Sequence, residues 1–277
     1  MPTQKDDDRY EIDPEDRLRR AIVGDWAPEK HLRLQKYVDI TRAVRRKFGG
    51  NATYIDLYCG PGRARLRKTG EVVEGSALVA ATEAIRRRNP YREVIIGDLD
   101  PVNVEACETR LSRLRVGNVR AYAGTAEDVA AQILPTLHPT GFNLAFLDPF
   151  NLESLPFQVI QTLAQAKSMD LLIHVSIMDL QRNVRALMTS GKLSSFAPGW
   201  DKKINSAAAN PKLVMAVFEY WRSLLSQLGY LVSDNIERVT GNRNQPLYWL
   251  VLASKHDLAD KLWGEVSQVE PQGRLLL

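Results

Sequence analysis

Three acids in this chain stand where an apolar run gives out into residues that favour turns. Asp56 lies in Tyr54-Ile55-Asp56-Leu57-Tyr58-Cys59-Gly60-Pro61-Gly62, Asp98 in Gly97-Asp98-Leu99-Asp100-Pro101, and Asp148 in Phe146-Leu147-Asp148-Pro149-Phe150. At the carboxyl end of a strand, Gly60 and Gly62 let a ligand approach the backbone. A dinucleotide is disfavoured there, because Arg63-Ala64-Arg65 follows Gly62 where a third glycine would complete a pyrophosphate cradle. Asp98, with Leu99 beside it, suits an acceptor for both hydroxyls of a ribose, whereas Asp100 and Pro101 suit the cap and first position of the next helix. Asp148, followed by a proline and an aromatic ring, projects into the same crevice, and a carboxylate after an apolar run must find a partner or solvent.

Bringing three strand ends together requires a parallel sheet. After Gly49-Gly50 the chain breaks into short apolar runs, Thr53–Tyr58, Val94–Ile96, Val119–Tyr122, Leu144–Leu147 and Leu171–Val175, separated by helical stretches over about 76–89, 101–115, 126–134, 154–167 and 178–190. Strand and helix in alternation predict a sheet wound on both faces. Past a helix over about 211–228, Tyr230–Arg238 and Leu247–Ser254 follow one another with no helix between them, so they must pair antiparallel; a last helix starts at His256. Ahead of the sheet, Asp13-Pro14 suits a helix start. Leu18, Ile22, Leu32, Leu34, Tyr37, Val38, Ile40 and Val44 recur at helical spacing with a break near Gly24 to Pro28, which predicts two helices. The organisation read from these signals is a loosely held acidic tail over 1–13, a helical extension over 14–48, an α/β domain over 49–270 and a short tail over 271–277.

Composition excludes several classes. The 277 residues carry 37 Lys and Arg against 33 Asp and Glu, a net charge of +4, and 44% of them are hydrophobic, enough to bury a substantial core. Cys59 and Cys107 make neither a disulfide framework nor a four-ligand zinc site, and the four histidines add no ligand spacing, so no metal is expected and a reducing cytoplasm is the expected location. No apolar run reaches the roughly 18–20 residues of a membrane span, and the opening residues are acidic where a signal peptide would be basic and then apolar.

The stretch Asp56-Leu57-Tyr58-Cys59-Gly60-Pro61-Gly62 resembles motif I of S-adenosylmethionine-dependent methyltransferases. Parallel runs closed by an antiparallel pair likewise resemble the class I fold of those enzymes, a Rossmann-like α/β fold with a seven-stranded, mostly parallel sheet in which the seventh strand inserts beside the fifth. The resemblance implies S-adenosylmethionine as cofactor, with Asp56, Tyr58, Gly60, Gly62, Asp98, Leu99 and Asp148 lining it. It also implies an adenine contact near Thr125 and Ala126, where Thr125 replaces the acid such enzymes often carry and, with Asp128, makes a capping box. Asp148-Pro149-Phe150 is similar to the Asp-Pro-Pro-Tyr/Phe motif of amino methyltransferases that act on adenine or guanine, with one proline in place of two. By that similarity Asp148 and the Pro149 carbonyl receive an exocyclic amine and Phe150 stacks on the base. Aligning the amine with a methyl sulfonium lowers the barrier through proximity, and the carboxylate stabilises positive charge developing on nitrogen.

Taken in order, Trp26-Ala27-Pro28-Glu29-Lys30, Asp56 to Gly62, Gly75-Ser76, Asp148-Pro149-Phe150 and Leu247-Tyr248-Trp249-Leu250 resemble the three-Cys-motif partner proteins, a bacterial and phage-associated, methyltransferase-like family, over about residues 18–265. The family name implies a separate cysteine-motif protein as partner, and Lys30 is expected to reach a carboxylate of cofactor or substrate. Basic residues gather at Arg42, Arg45, Arg46 and Lys47, at Arg63, Arg65, Arg67 and Lys68, and at Arg86, Arg87, Arg88 and Arg92. The second group directly follows the glycine turn and is expected to form, with Arg243, a rim that attracts phosphate and weakens with salt. Three readings stay open: a methyltransferase for an amine of a nucleic-acid base or nucleotide-like substrate, one for a small metabolite, or a non-catalytic cofactor-binding partner of a three-Cys-motif protein.

Overall fold

The runs predicted as strands have apolar side chains on both faces, so each is stable only where both faces are covered. In a computed structural model, which describes residues 9–24, 27–233, 237–240 and 246–267, the chain begins with β1 (Tyr10–Ile12), β2 (Arg19–Val23), α1 (Ala27–Ile40), α2 (Arg42–Lys47), β3 (Ala52–Asp56), β4 (Arg63–Leu66), β5 (Val72–Glu74) and α3 (Ser76–Arg86). It continues through β6 (Glu93–Asp98), α4 (Pro101–Ser112), β7 (Asn118–Ala123), α5 (Ala126–Ile133), β8 (Phe142–Leu147), α6 (Phe157–Leu163), β9 (Met169–Val175) and α7 (Ile177–Thr189). The last elements are α8 (Leu193–Phe196), α9 (Asn210–Gln227), β10 (Leu231–Val232), β11 (Glu237–Thr240), β12 (Pro246–Ser254) and α10 (Asp257–Ser267).

The main sheet runs β10-β12-β9-β8-β3-β6-β7, with β11 also paired to β12. Pairing is parallel among β3, β6, β7, β8 and β9 and antiparallel wherever β12 takes part. The last strand in sequence is thus inserted between β9 and β10, as expected. Side chains alternate across the sheet with the two-residue period of a strand. Leu144 and Phe146 of β8 join a layer with α1, α3, α4 and α10, while Ala145 and Leu147 join the opposite layer with α5, α6, α7 and α9. Each fully buried Leu or Phe of this kind contributes about 1.5–3 kcal/mol of transfer free energy.

The amino-terminal segment departs from the sequence reading. Residues 10–12 and 19–23 are strands, joined through a turn in which Glu15 N donates to Asp13 Oδ1 (3.0 Å), Leu18 N donates to Asp16 Oδ1 (3.1 Å) and Arg17 takes a φ of 63°. The helix expected from Asp13-Pro14 is therefore absent, and the first helix is α1. A second sheet, β1-β2-β4-β5, forms beside the main one: β2 runs parallel to β4, and the two outer pairs are antiparallel. At the other end, the strand expected over Tyr230–Arg238 is described at Leu231–Val232 and from Glu237, with residues 234–236 outside the described ones. Leu231 pairs with Ser254 and Glu237 with Leu250, so the register along β12 shifts by two residues between β10 and β11.

Candidate active site

The register of β3 fixes where the three acids stand. Asp56, the last residue of β3, pairs with Ile96 of β6 on one side and with Phe146 of β8 on the other. Asp98 and Asp148 each lie two residues beyond those partners, and adjacent strands are about 4.8 Å apart. The acids therefore share the carboxyl edge of three neighbouring strands.

Asp56 is fully buried. It accepts from Ser76 Oγ (2.5 Å), Tyr58 N (3.1 Å) and Tyr54 Oη (3.4 Å), which locks the glycine turn to the first residue of α3. The chain itself thus surrounds this carboxylate, which holds Tyr58 and the turn in place. Burial pushes its pKa up to about 7, with the charges of Asp148 and Asp98 acting in the same direction and the Ser76 and Tyr58 hydrogen bonds against it. The folded chain then holds an extra proton between about pH 4 and 7, and stability falls as pH rises through that window. The urea midpoint of the parent chain minus that of Asp56→Asn, which has no proton to lose there, is expected to decline from pH 4 to pH 7; a flat difference would contradict the raised pKa.

Beyond Asp56, Gly60 and Gly62 adopt positive φ of 53° and 78°. They differ in surroundings. A Cβ on Gly60 would meet nothing within 4 Å, which leaves the backbone open to a ligand, whereas a Cβ on Gly62 would lie 2.8 Å from Leu78 Cδ1 and 3.2 Å from Cys107 Cα. Gly62→Ala is accordingly expected to cost about 2–4 kcal/mol, combining backbone strain with overpacking, while Gly60→Ala costs about 1–2 kcal/mol from backbone alone. Urea unfolding of the two variants checks the ranking. Asp98 holds the same turn: its Oδ2 accepts from Gly60 N (3.0 Å), and its Oδ1 accepts from Asp100 N (2.9 Å) and Asn103 Nδ2 (3.2 Å). Its carboxylate is half-buried and Leu99 is 74% exposed beside it. Asp100 caps α4 by accepting from Val102 N (2.9 Å), with Pro101 at the first helical position, as read from sequence.

Asp148 has partners that the sequence motif does not show. Lys30 Nζ, on the first turn of α1, donates to Asp148 Oδ2, and His174 Nδ1 of β9 lies 3.0 Å from Oδ1, out of line for a hydrogen bond. Helix α1 runs opposite to β9, since Tyr37 Oη donates to Asp170 Oδ2 (2.8 Å) at the start of that strand while Lys30, earlier in the helix, reaches Asp148, which lies beside His174 near the strand's end. Burial works to raise the Asp148 pKa, but Lys30 and then His174 overcome it, and the carboxyl is held below its ordinary value. Burial lowers His174 to about 4 against the pull of Asp148, so this imidazole is neutral at neutral pH. Its ring meets that of Tyr248 edge-on, with centroids 4.2 Å apart. Phe150 is 78% exposed, with the Arg9 guanidinium 5.5 Å from its ring centre.

The basic rim does not form as expected. Arg63 donates to Asp13 Oδ2 (3.1 Å) and Glu15 Oε2 (2.7 Å), and Arg65 makes a two-point pair with Glu11 (2.7 and 2.9 Å). Both arginines sit on β4 facing acids of the β1–β2 segment and serve the small sheet. Arg110 completes this network from α4. It is 2% exposed, grips Asp16 at two points (2.8 and 2.9 Å) and donates to the carbonyls of Arg19 (2.7 Å) and Pro61 (2.5 Å). Arg67 and Lys68 are exposed at the turn between β4 and β5, and Arg243 lies outside the described residues, as does Trp26. Thr125 caps α5, accepting from Asp128 N (3.2 Å) and donating to Asp128 Oδ2 (2.8 Å); Ala126 behind it is buried, and Tyr58 Oη donates to the Ser154 carbonyl (2.6 Å).

The strand order, with one antiparallel strand inserted beside β9, is that of the class I methyltransferase fold. No protein-family model and no curated protein matches the chain. Among solved structures it is similar to protein LPL1258 from Legionella pneumophila, with a TM-score of 0.51 and 12% identity over 86% of this chain and 90% of that one. Similarity extends more weakly to an O-methyltransferase from Bacillus cereus in complex with SAH (TM-score 0.46, 9% identity, 80% of each chain) and to the O-methyltransferase TomG from Streptomyces achromogenes in complex with SAM (0.43, 12%, 83% and 81%). At such identities the likeness is one of fold. Among the described residues, no helix is long and apolar enough to cross a membrane.

Proposed function

We propose that the chain is an S-adenosylmethionine-dependent methyltransferase acting on the amine of a planar, base-like acceptor. The residues present fit that cofactor: open space faces Gly60, and a half-buried acid and an exposed leucine stand at the neighbouring strand end. When bound, the cofactor supplies an electrophilic methyl group on a sulfonium. The chain's part is to orient and to exclude water. Asp98 accepts from a ribose hydroxyl, Gly60 leaves the backbone open to the ligand while Gly62 packs the turn against Leu78 and Cys107, and Asp148 with the Pro149 carbonyl aligns the acceptor amine.

The observation that carries the acceptor class is the state of Asp148. It is an ionised, enclosed carboxylate that already binds a nitrogen donor, Lys30, next to an exposed aromatic ring. An acceptor amine takes the place of the Lys30 ammonium on Oδ2 and offers its ring to Phe150. Lys30 belongs to the amino-terminal element that carries part of the resemblance to three-Cys-motif partners, and it meets the main sheet at Asp148. A second reading, a small-molecule acceptor, is favoured by the engagement of Arg63 and Arg65 with Glu11, Asp13 and Glu15, which leaves fewer cations for a phosphate backbone.

Calorimetry tests the cofactor assignment: S-adenosylmethionine should bind, and Asp98→Ala should weaken it at least tenfold, the worth of a charge-assisted pair. No binding at millimolar ligand would sink the proposal. Mass spectrometry of nucleic acid and metabolites after incubation with labelled cofactor then identifies the acceptor. A polymer acceptor should bind with a salt slope of several phosphates, a free small molecule with almost none.

A further inference from the structure

We infer that the amino-terminal strand supplies part of the cofactor site: Tyr10 is the hydrogen-bond donor that pairs with Asp98 on the ribose. This rests on the methyltransferase reading above and extends it to a segment outside the main sheet.

The four groups concerned are fixed by one another. Asn103, on α4, is 2% exposed and has two amide protons. Its Nδ2 donates to Asp98 Oδ1 (3.2 Å) and to Tyr10 Oη (3.2 Å), so one amide holds the strand-end acid and the tyrosine side by side. Two donors spread at roughly 120° from that nitrogen put the two oxygens about 5.5 Å apart. That is wider than the roughly 4.6 Å one hydroxyl spans with two bonds of about 2.8 Å at a tetrahedral angle, and it suits two adjacent hydroxyls, one donating to Asp98 and the other accepting from Tyr10. Tyr10 is held on its other side by Arg19, whose guanidinium lies 4.8 Å from the ring centre, pairs with Asp100 and reaches Asn103 Oδ1 (3.5 Å).

The chemistry at the two oxygens is complementary. Asp98 has one of its four lone-pair sites left, on Oδ2, after its three backbone and amide donors. Tyr10 Oη accepts from Asn103, and among the described residues nothing accepts the hydroxyl's own proton. An acceptor and a donor so spaced match the neighbouring hydroxyls of a ribose, one giving and the other taking a hydrogen bond. Asn103 is the positioning residue of the pair.

The test is binding, with no turnover needed. Calorimetry compares S-adenosylhomocysteine with its 2′-deoxy and 3′-deoxy forms on the parent chain, Tyr10→Phe and Asp98→Ala. The parent should lose affinity when the relevant hydroxyl is removed, Tyr10→Phe should bind the intact ligand about three- to tenfold more weakly, and the penalty for the deoxy ligand should shrink in Tyr10→Phe. Backbone hydrogen exchange over residues 9–23 should slow on adding ligand, and slow less in Tyr10→Phe. Tyr10→Phe binding within twofold of the parent, or an unchanged deoxy penalty, overturns the inference. If Asp98→Ala alone loses affinity, the methyltransferase reading survives without Tyr10; if the parent chain binds neither ligand at millimolar concentration, both fall.

Discussion

Replacing Arg110 with methionine should destabilise the folded chain by about 3–5 kcal/mol, the effect of removing one partner from a buried ionic network. The side chains of Asp13 and Asp16 are 1% and 4% exposed, and Arg110 supplies the two-point contact that neutralises Asp16. Its loss also strips a donor from the Pro61 and Arg19 carbonyls, so the glycine turn and β2 lose a common anchor. Arg113 is the control. It approaches the same Asp16 oxygen at 3.3 Å but is 51% exposed, and Arg113→Ala should stay within about 0.5 kcal/mol. Asp16 is held below its ordinary pKa: burial opposes this and the Arg110 hydrogen bond leads the lowering. The stabilisation is therefore fully present above the unfolded-chain pKa of about 4 and lost as pH falls through the depressed folded value, so the gap between parent and variant should narrow under acid. Urea midpoints from pH 7 to pH 2.5 measure it; equal loss in the Arg110 and Arg113 variants would refute the role of burial.

Asp148→Asn should reduce methyl transfer by a factor of about 10²–10⁴, the range expected when an orienting and charge-stabilising group is lost, with cofactor affinity within about twofold. Stability complicates the experiment, because the substitution leaves the enclosed Lys30 ammonium without its counter-charge. The double variant Asp148→Asn with Lys30→Met removes that complication. It should recover stability relative to Asp148→Asn alone and remain inactive. Recovery of transfer with stability would mean that Asp148 serves only the ion pair, and parallel loss of cofactor binding would remove it from the acceptor side of the crevice.

The main sheet was readable because its strands announce themselves twice. Runs such as Leu171–Val175 are apolar on both faces, and helices of regular length separate them. The amino-terminal strands announce themselves in neither way. Leu18 and Ile22 are four apart and imitate a helical stripe, while the inward residue of β2 is Arg20, 8% exposed, whose charge reads as outward until Glu11 and Asp13 are seen to neutralise it. In Arg63-Ala64-Arg65-Leu66 the alternation of a strand is present, but charge drew the reading toward a phosphate rim. The partners of those arginines lie about fifty residues upstream, a separation at which sequence carries no pairing signal.

The site divides in the same manner. Asp98 and Asp148 were legible because strand ends project acids toward one edge. His174 was not, although a histidine within Leu171-Leu172-Ile173-His174-Val175 is an anomaly that could have marked it. Its closeness to Asp148 follows only from the β8–β9 register, which pairs Leu147 with Ile173. Tyr10 and Asn103 depend on a chain crossing that no local pattern encodes.

The ion pairs around the crevice have a consequence at long range. Lys30 faces Asp148, Arg19 faces Asp100, and Arg63, Arg65 and Arg110 face Glu11, Asp13 and Asp16, so most of these charges enter as tight dipoles whose fields die away within a few ångströms. A diffusing cation or anion feels little of them before it arrives. Encounter with this crevice is then governed by shape and collision, at the unsteered rates of about 10⁵–10⁶ M⁻¹s⁻¹ rather than those of a charged funnel, and discrimination begins only once a ligand is inside.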